Sequence, residues 1–189
     1  MPVLLVSITS PFTRTCRVVA HEQQVDLTLQ EVFPLDDDPV LLQHNPIGKV
    51  PALVRAGKPP LIDSRAICAH LDPRERTDRD IWLESAAHGV MEAALAIVME
   101  RRRRDDERSF AWMDRQEERL MRLLETLDGA LPEARDTIGA CALGCAVDYV
   151  DFRLSDLRWR GLTTQSLDGW LREQLRRDAM EETAYGLAV

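Results

Sequence analysis

Asn45-Pro46-Ile47-Gly48-Lys49-Val50-Pro51-Ala52-Leu53-Val54 is the stretch on which the reading of this chain turns. Two prolines and a glycine within its first seven residues specify a fixed loop, and the apolar Ala52–Val54 that follows has the character of a strand. Val50-Pro51 is a candidate cis bond, which would turn the backbone and present the Val50 N–H and C=O sideways. An ordinary turn fits the same residues. Toward the N-terminus, Val3–Val6 and Leu27–Val32 are further short apolar runs. Arg14–Glu22 between them reads as a helix, with Val18 and Val19 available for burial. Toward the C-terminus, Pro59-Pro60 marks a turn before Leu61-Ile62, and Ser64–Leu71 places Ile67, Cys68 and Leu71 at helical spacing. The order is β-α-β, a loop or short helix, then β-β-α. The first two strands, joined through a helix, are expected to be parallel.

The character of the chain changes near residue 73, because nine of its ten prolines fall in residues 1–73. Proline interrupts helices and cannot donate to a sheet ladder, so a mixed α/β unit followed by a helical one is expected. Residues 74–80 lie in a polar stretch (PRERTDRD, from Pro73) and read as a linker. Ile81–Arg104 then carries Trp82, Ala86, Val90, Met91, Leu95 and Val98 at helical intervals, and Asp106–Leu131 carries Phe110, Met113, Leu120, Leu124 and Leu127. Thr137 opens a helix whose Ile138, Cys141, Cys145, Tyr149 and Phe152 share a face, and Ser166–Arg177 forms another. A bundle of four to five helices is the economical solution.

Composition narrows the function. With 45% hydrophobic residues among 189, the chain can bury a sizeable core and is not disordered. Lysine occurs only at Lys49 and Lys58, so 22 of the 24 basic residues are arginine; 32 Asp and Glu bring the net charge to −8. That balance argues against a nucleic-acid partner, whose affinity would come from neutralising phosphates. Four cysteines without a C-x-x-C spacing read as free thiols in a reducing compartment. No run of about 18 uninterrupted apolar residues is present, so no membrane partner is expected. The short apolar start, Met1–Val6, lacks a basic region ahead of it, and a cytoplasmic location is expected.

Two more junctions carry possible chemistry. Ser10-Pro11-Phe12 links the first strand to the first helix, where free N–H groups and the helix dipole favour an anion. The Ser10 hydroxyl there either caps the helix or donates to a bound thiolate, lowering that thiol's pKa. Asp63-Ser64-Arg65 precedes the third apolar helix, and its N–H groups and the Ser64 hydroxyl either cap that helix or receive a ligand carboxylate. Other features are weaker. Cys141 and Cys145 lie i, i+4 with no histidine near in sequence, so packing is favoured over metal binding. Cys16 falls along the first helix and reads as packing. The Arg101–Arg104 run is followed by Asp105, Asp106 and Glu107 and reads as a solvated, locally neutralised helix end. The four histidines form no sequence cluster with a nucleophile.

Taken together, SITSPFTRTCRVVA (residues 7–20), NPIGKVPALV (45–54) and LIDSRAICAHLD (61–72) resemble the glutathione-binding, thioredoxin-fold domain of the glutathione transferases, in particular bacterial serine-type members. WLESAAHGVMEAAL (82–95) and TIGACALGCAVDYVDFR (137–153) are similar to the first helix and the buried core helix of that family's second domain. The resemblance weakens after Arg158. It implies an α/β plus all-α protein: a thioredoxin-like glutathione-binding domain over residues 1–73 and a helical domain over 81–189. It implies glutathione as cosubstrate, Ser10 as the catalytic hydroxyl on the glutathione sulfur, and Val50 pairing through its backbone ahead of a cis Pro51. Asp63 and Ser64 would hold the γ-glutamyl end, Lys49 would lie near the glycyl carboxylate, and Phe12 would wall the thiol. Met91 and Leu95 would line the second-substrate pocket or pack the core. The activity implied is transfer of glutathione to a small hydrophobic electrophile by a homodimer. A non-enzymatic, partner-binding member and a glutathione-dependent isomerase or reductase are the competing readings. One departure stands out: the core helix lacks an acid three residues after Thr137, where Ala140 stands, which removes half of a capping box worth about 1 kcal/mol.

Overall fold

The computed structural model describes residues 1–161 and 166–187. Four strands, β1 (Val3–Val6), β2 (Thr28–Glu31), β3 (Ala52–Arg55) and β4 (Lys58–Ile62), form one sheet in the order β2-β1-β3-β4. The β1–β2 pair is parallel, as its helical connection requires, and β3 runs antiparallel to both β1 and β4. Helix α1 (Pro11–Glu22) joins β1 to β2, a short α2 (Pro39–His44) precedes the NPIGKVP loop, and α3 (Ser64–Leu71) follows β4. The loop turns at Gly48, whose φ of +70° is one that side-chain-bearing residues avoid.

The helical part contains α4 (Asp78–Arg101), α5 (Phe110–Asp128), α6 (Ile138–Arg153), α7 (Ser166–Leu175) and the short α8 (Asp178–Glu181). Helix α4 begins inside the stretch read as linker, because Thr77 accepts the Asp80 N–H as an N-cap. By length and composition α4 could cross a bilayer, yet half of its apolar window is buried in the protein. Leu83, Ala87, Val90, Met91, Ala94 and Ile97 are the buried residues that explain its composition. One contiguous apolar core runs from Leu4 and Val6 of the sheet, through Val18 and Ile67, to Trp159 and Leu171. The sheet layer and the bundle therefore share a core.

Three side chains depart from the sequence expectation. Trp82 (43% exposed) and Phe110 (64%) stand near the first turns of α4 and α5, outside the packed stripes. Phe152 is not on the buried face of α6; it stacks on Tyr185 at 5.0 Å between centroids.

The missing acid at position 140 is offset from another helix. Thr137 accepts the Ala140 N–H, and Asp80 on α4 accepts the Gly139 N–H at 2.8 Å. The helices approach so closely here that a Cβ on Gly139 would fall 2.6 Å from the Asp80 carbonyl oxygen. Gly139→Ala is therefore expected to destabilise the fold by about 1–3 kcal/mol through overpacking. Gly169 in α7 faces open space, so Gly169→Ala is expected to stabilise by roughly 0.5–1 kcal/mol. Urea unfolding of the two variants measures this contrast, and equal signs would contradict it.

Candidate active site

Strand register assembles the site. Leu5 pairs with Ala52, and Ala52 with Ile62. The end of β1, the start of β3 and the end of β4 thus meet at one edge of the sheet. The residues just beyond those strand ends are Ser10, Val50-Pro51 and Asp63-Ser64, which span 54 positions from Ser10 to Ser64 in sequence but meet on one edge in space.

Ser10 has extended backbone and caps α1, its Oγ accepting the Thr13 N–H at 3.3 Å. The capping reading is correct, yet it occupies only a lone pair. A hydroxyl is both donor and acceptor, so the Ser10 hydrogen is left to point elsewhere. Phe12, half-buried, meets the His88 ring edge-on at 5.4 Å. Burial drives His88 down to about 4, with Arg65 adding to the effect, so its imidazole is neutral at neutral pH. His88 carried no local sequence signal: a histidine on an apolar helix face has none.

Val50-Pro51 is cis. Among the described residues neither the Val50 N–H nor its C=O takes a backbone partner, because the β3 ladder begins at Ala52. Asn45 clamps the loop: its side-chain amide donates to the Lys49 carbonyl at 2.6 Å, and its Oδ1 accepts the Ile47 N–H at 3.1 Å. Asn-Pro is a turn-forming pair, so this clamp had a sequence signal that went unread. Lys49 is exposed beside that free backbone edge.

Asp63 caps α3, its Oδ1 accepting the Arg65 N–H at 2.8 Å. It does so with φ of +74°, a conformation that costs a non-glycine residue about 1–3 kcal/mol and tends to persist where function requires it. Ser64 follows, buried at 4% exposure, at the first position of the helix. Its carbonyl accepts a weak bond from the Cys16 thiol at 3.6 Å, and Cys16 in turn lies 3.7 Å from the Cys68 sulfur. This ties α1 to α3 directly beneath the edge. The Cys68 thiol is pushed well up, first by its contact with Cys16 and then by burial. Burial also raises Cys141, and takes Cys145 to about 11. These thiols are protonated packing groups, not nucleophiles.

Of the two residues read as lining the second-substrate pocket or packing the core, Met91 is fully buried in the core; Leu95, one turn on, is half-buried. The edge as a whole offers a hydroxyl donor, two helix N-termini, an unpaired backbone segment, a carboxylate and an ammonium. Such a set suits an extended ligand that carries anionic groups and can pair along its middle with an unpaired backbone segment.

Known proteins fit that ligand. Residues 9–74 match the N-terminal domain of glutathione S-transferases. The chain is 31% identical over 166 residues to the uncharacterised GST-like protein YibF of Escherichia coli K12, spanning 79% of this chain and 82% of YibF. Its fold superposes on a glutathione transferase family member from Pseudomonas fluorescens Pf-5 with bound glutathione (TM-score 0.88, 29% identity, 99% of this chain and 100% of that one). It superposes equally on a glutathione S-transferase from Methylobacillus flagellatus KT with glutathione bound (TM-score 0.88, 30% identity, 97% and 99%). With the thioredoxin-like sheet, the helical bundle and these similarities in place, the chain belongs to the glutathione S-transferase family.

Proposed function

We propose that this protein is a glutathione transferase that activates the glutathione thiol with the Ser10 hydroxyl and conjugates it to a small hydrophobic electrophile. The observation that carries this reading is the single sheet edge on which Ser10, Val50 and Asp63-Ser64 converge. The Ser10 hydroxyl donates to the glutathione sulfur while its lone pair holds the Thr13 N–H, and the N-terminus of α1 adds its dipole. Both favour thiolate over thiol, and thiolate is the nucleophile. Val50 pairs with the cysteinyl backbone, the Asp63 carboxylate and the α3 N-terminus with Ser64 hold the γ-glutamyl amino and carboxylate groups, and Lys49 faces the glycyl carboxylate. Phe12 walls the sulfur on the side of α4. Held in this way, the thiolate attacks a carbon of the electrophile; the C–S bond forms as the leaving group departs with its electron pair. The enzyme acts as a cytoplasmic homodimer, its glutathione-binding domain over residues 1–73 and its helical domain over 81–189.

Lys49 gives a direct test, because Lys58 is a control on the same sheet with no part in the site. Lys49→Ala is expected to weaken glutathione binding about two- to fivefold, the worth of an exposed ion pair, and Lys58→Ala to leave it unchanged. Titration calorimetry reads both; equal effects remove Lys49 from the site. Turnover across a panel of electrophiles separates a transferase from a family member that only binds partners.

A further inference from the structure

Away from the sheet edge that carries the proposed thiol site, a groove of about 520 Å³ runs along the last two turns of α1. It exists because the chain reverses there. Gln24 takes φ of +52°, and the Val25 N–H donates to the Ala20 carbonyl at 2.9 Å, so residues 25–29 return beside the helix they have just left. Ala20, Val25, Leu27 and Leu29 give the groove an apolar floor that packs on the main core. Glu182 and Thr183, just after α8, complete the lining. The groove shares no residue with the proposed glutathione site, since Ser10 caps the opposite end of α1.

The polar groups around this floor divide into two sets. One set is committed to the protein. His21 Nε2 pairs with the Glu182 carboxylate at 3.3 Å, and Thr183 Oγ1 donates to the Ala179 carbonyl at 2.7 Å while accepting from Arg14. The other set is not. Among the described residues the half-buried Arg17 has no carboxylate within ion-pair distance, and its guanidinium donates only to the Glu182 carbonyl, at 3.5 Å. Burial and the neighbouring Arg14 both push its pKa down, so the fold leaves this cation under-compensated. Asp26, exposed on the returning segment, accepts no hydrogen bond and meets no cation among the described residues. One groove therefore presents an uncommitted guanidinium, an uncommitted carboxylate and an apolar floor.

We infer that this groove binds a small zwitterion with an apolar body, an aliphatic α-amino acid being the simplest, its carboxylate on Arg17, its ammonium on Asp26 and its side chain on Val25, Leu27 and Leu29. Each part of the ligand answers a part of the groove. The guanidinium offers the paired N–H donors that match a carboxylate. A plain anion would gain Arg17 but meet the charge of Asp26, and a plain cation would gain Asp26 but meet Arg17. His21 already neutralises the Glu182 carboxylate when protonated, which leaves that acid out of the balance. The inference is independent of the transferase reading, because no residue of the glutathione edge enters it.

The test is titration of the full-length protein with L-leucine, L-leucinamide, which lacks the carboxylate, and 4-methylpentanoate, which lacks the ammonium. Residue-resolved amide shifts in NMR spectra locate the ligand. L-leucine is expected to shift residues 24–29 and 182–183 saturably with a Kd of about 1 mM, and to bind about fivefold more tightly than either analogue, the worth of one exposed ion pair. In Arg17→Gln, L-leucine and L-leucinamide are expected to bind equally. In Asp26→Asn, L-leucine and 4-methylpentanoate are expected to bind equally. The Asp26 side chain makes no contact that the fold needs, so this variant keeps the test decisive if Arg17→Gln does not fold. Absence of saturable shifts at residues 24–29 overturns the inference, as do equal affinities for the three ligands or a preference that Asp26→Asn leaves unchanged. Shifts confined to residues 49–53 and 63–65 would place L-leucine on the glutathione edge and overturn it as well.

Discussion

Replacing Ser10 by alanine is expected to lower kcat/KM for conjugation about 100- to 1,000-fold, the usual loss when a single donor to a developing or bound anion is removed. The same substitution removes the α1 cap, because Ser10 Oγ accepts the Thr13 N–H. That part costs about 1 kcal/mol of stability, a separate and smaller effect. Ser10→Asp distinguishes the two roles. Aspartate caps as well as serine but brings a negative charge and no donor at neutral pH, so it is expected to keep the stability and lose the activity. The thiol pKa of bound glutathione, followed by ultraviolet absorbance of the thiolate, is expected to rise in both variants. If Ser10→Ala keeps full activity and the bound thiol titrates as before, Ser10 is a cap and nothing more.

The largest effect on stability is expected at Arg14. Its side chain is 2% exposed, pairs with Asp148, and donates to the Met180 carbonyl at 3.0 Å and to Thr183 Oγ1 at 3.4 Å. Burial alone would favour the neutral form. The guanidinium is nonetheless held above its ordinary range, and the Asp148 carboxylate paired with it is the partner that carries charge at neutral pH. Arg14→Ala leaves Asp148 unpaired and a buried carbonyl without its donor, and removes the cation from the face of Tyr185. Breaking one partner of a buried pair costs about 3–5 kcal/mol, a large part of the 5–15 kcal/mol that holds a typical domain together. Urea denaturation followed by far-ultraviolet circular dichroism measures it. A loss below 1 kcal/mol would show that Arg14 contributes little to holding α1 on the bundle.

The order of elements was legible because each was marked by local chemistry. Proline and glycine punctuate residues 45–60, apolar runs lie between them, and Asp63 and Thr137 stand where caps belong. The site was legible for the same reason: Ser10, Val50-Pro51 and Asp63-Ser64 all fall at element junctions, where backbone groups are left unpaired. What was not legible depends on contacts between distant elements. The core place of Met91 and the outward place of Phe152 are set by how α4 and α6 pack and by the arrival of Tyr185. The burial of Arg14, which makes a salt bridge across 134 positions, has no local signature. Nor does the pairing of Asp80 with Gly139, which replaces an acid that helix α6 lacks. The Arg101–Arg104 run was legible as a solvated, locally neutralised helix end, but not that one of its acids, Asp156 on Arg101, comes from a segment 55 positions away.

The bond from Arg14 to Thr183 spans 169 positions. Helix α1, on which the proposed thiol chemistry depends, is made near the start of synthesis but gains its Met180 and Thr183 partners near the end. On the ribosome, the first α/β unit emerges with a guanidinium that has no counter-charge until Asp148 follows and no carbonyl acceptor until residue 180. Contacts of such long range slow folding, since the chain must close a large loop before they contribute. Competence to hold a thiolate is thus acquired late, and a nascent or truncated chain carries Ser10 without the frame that fixes its helix.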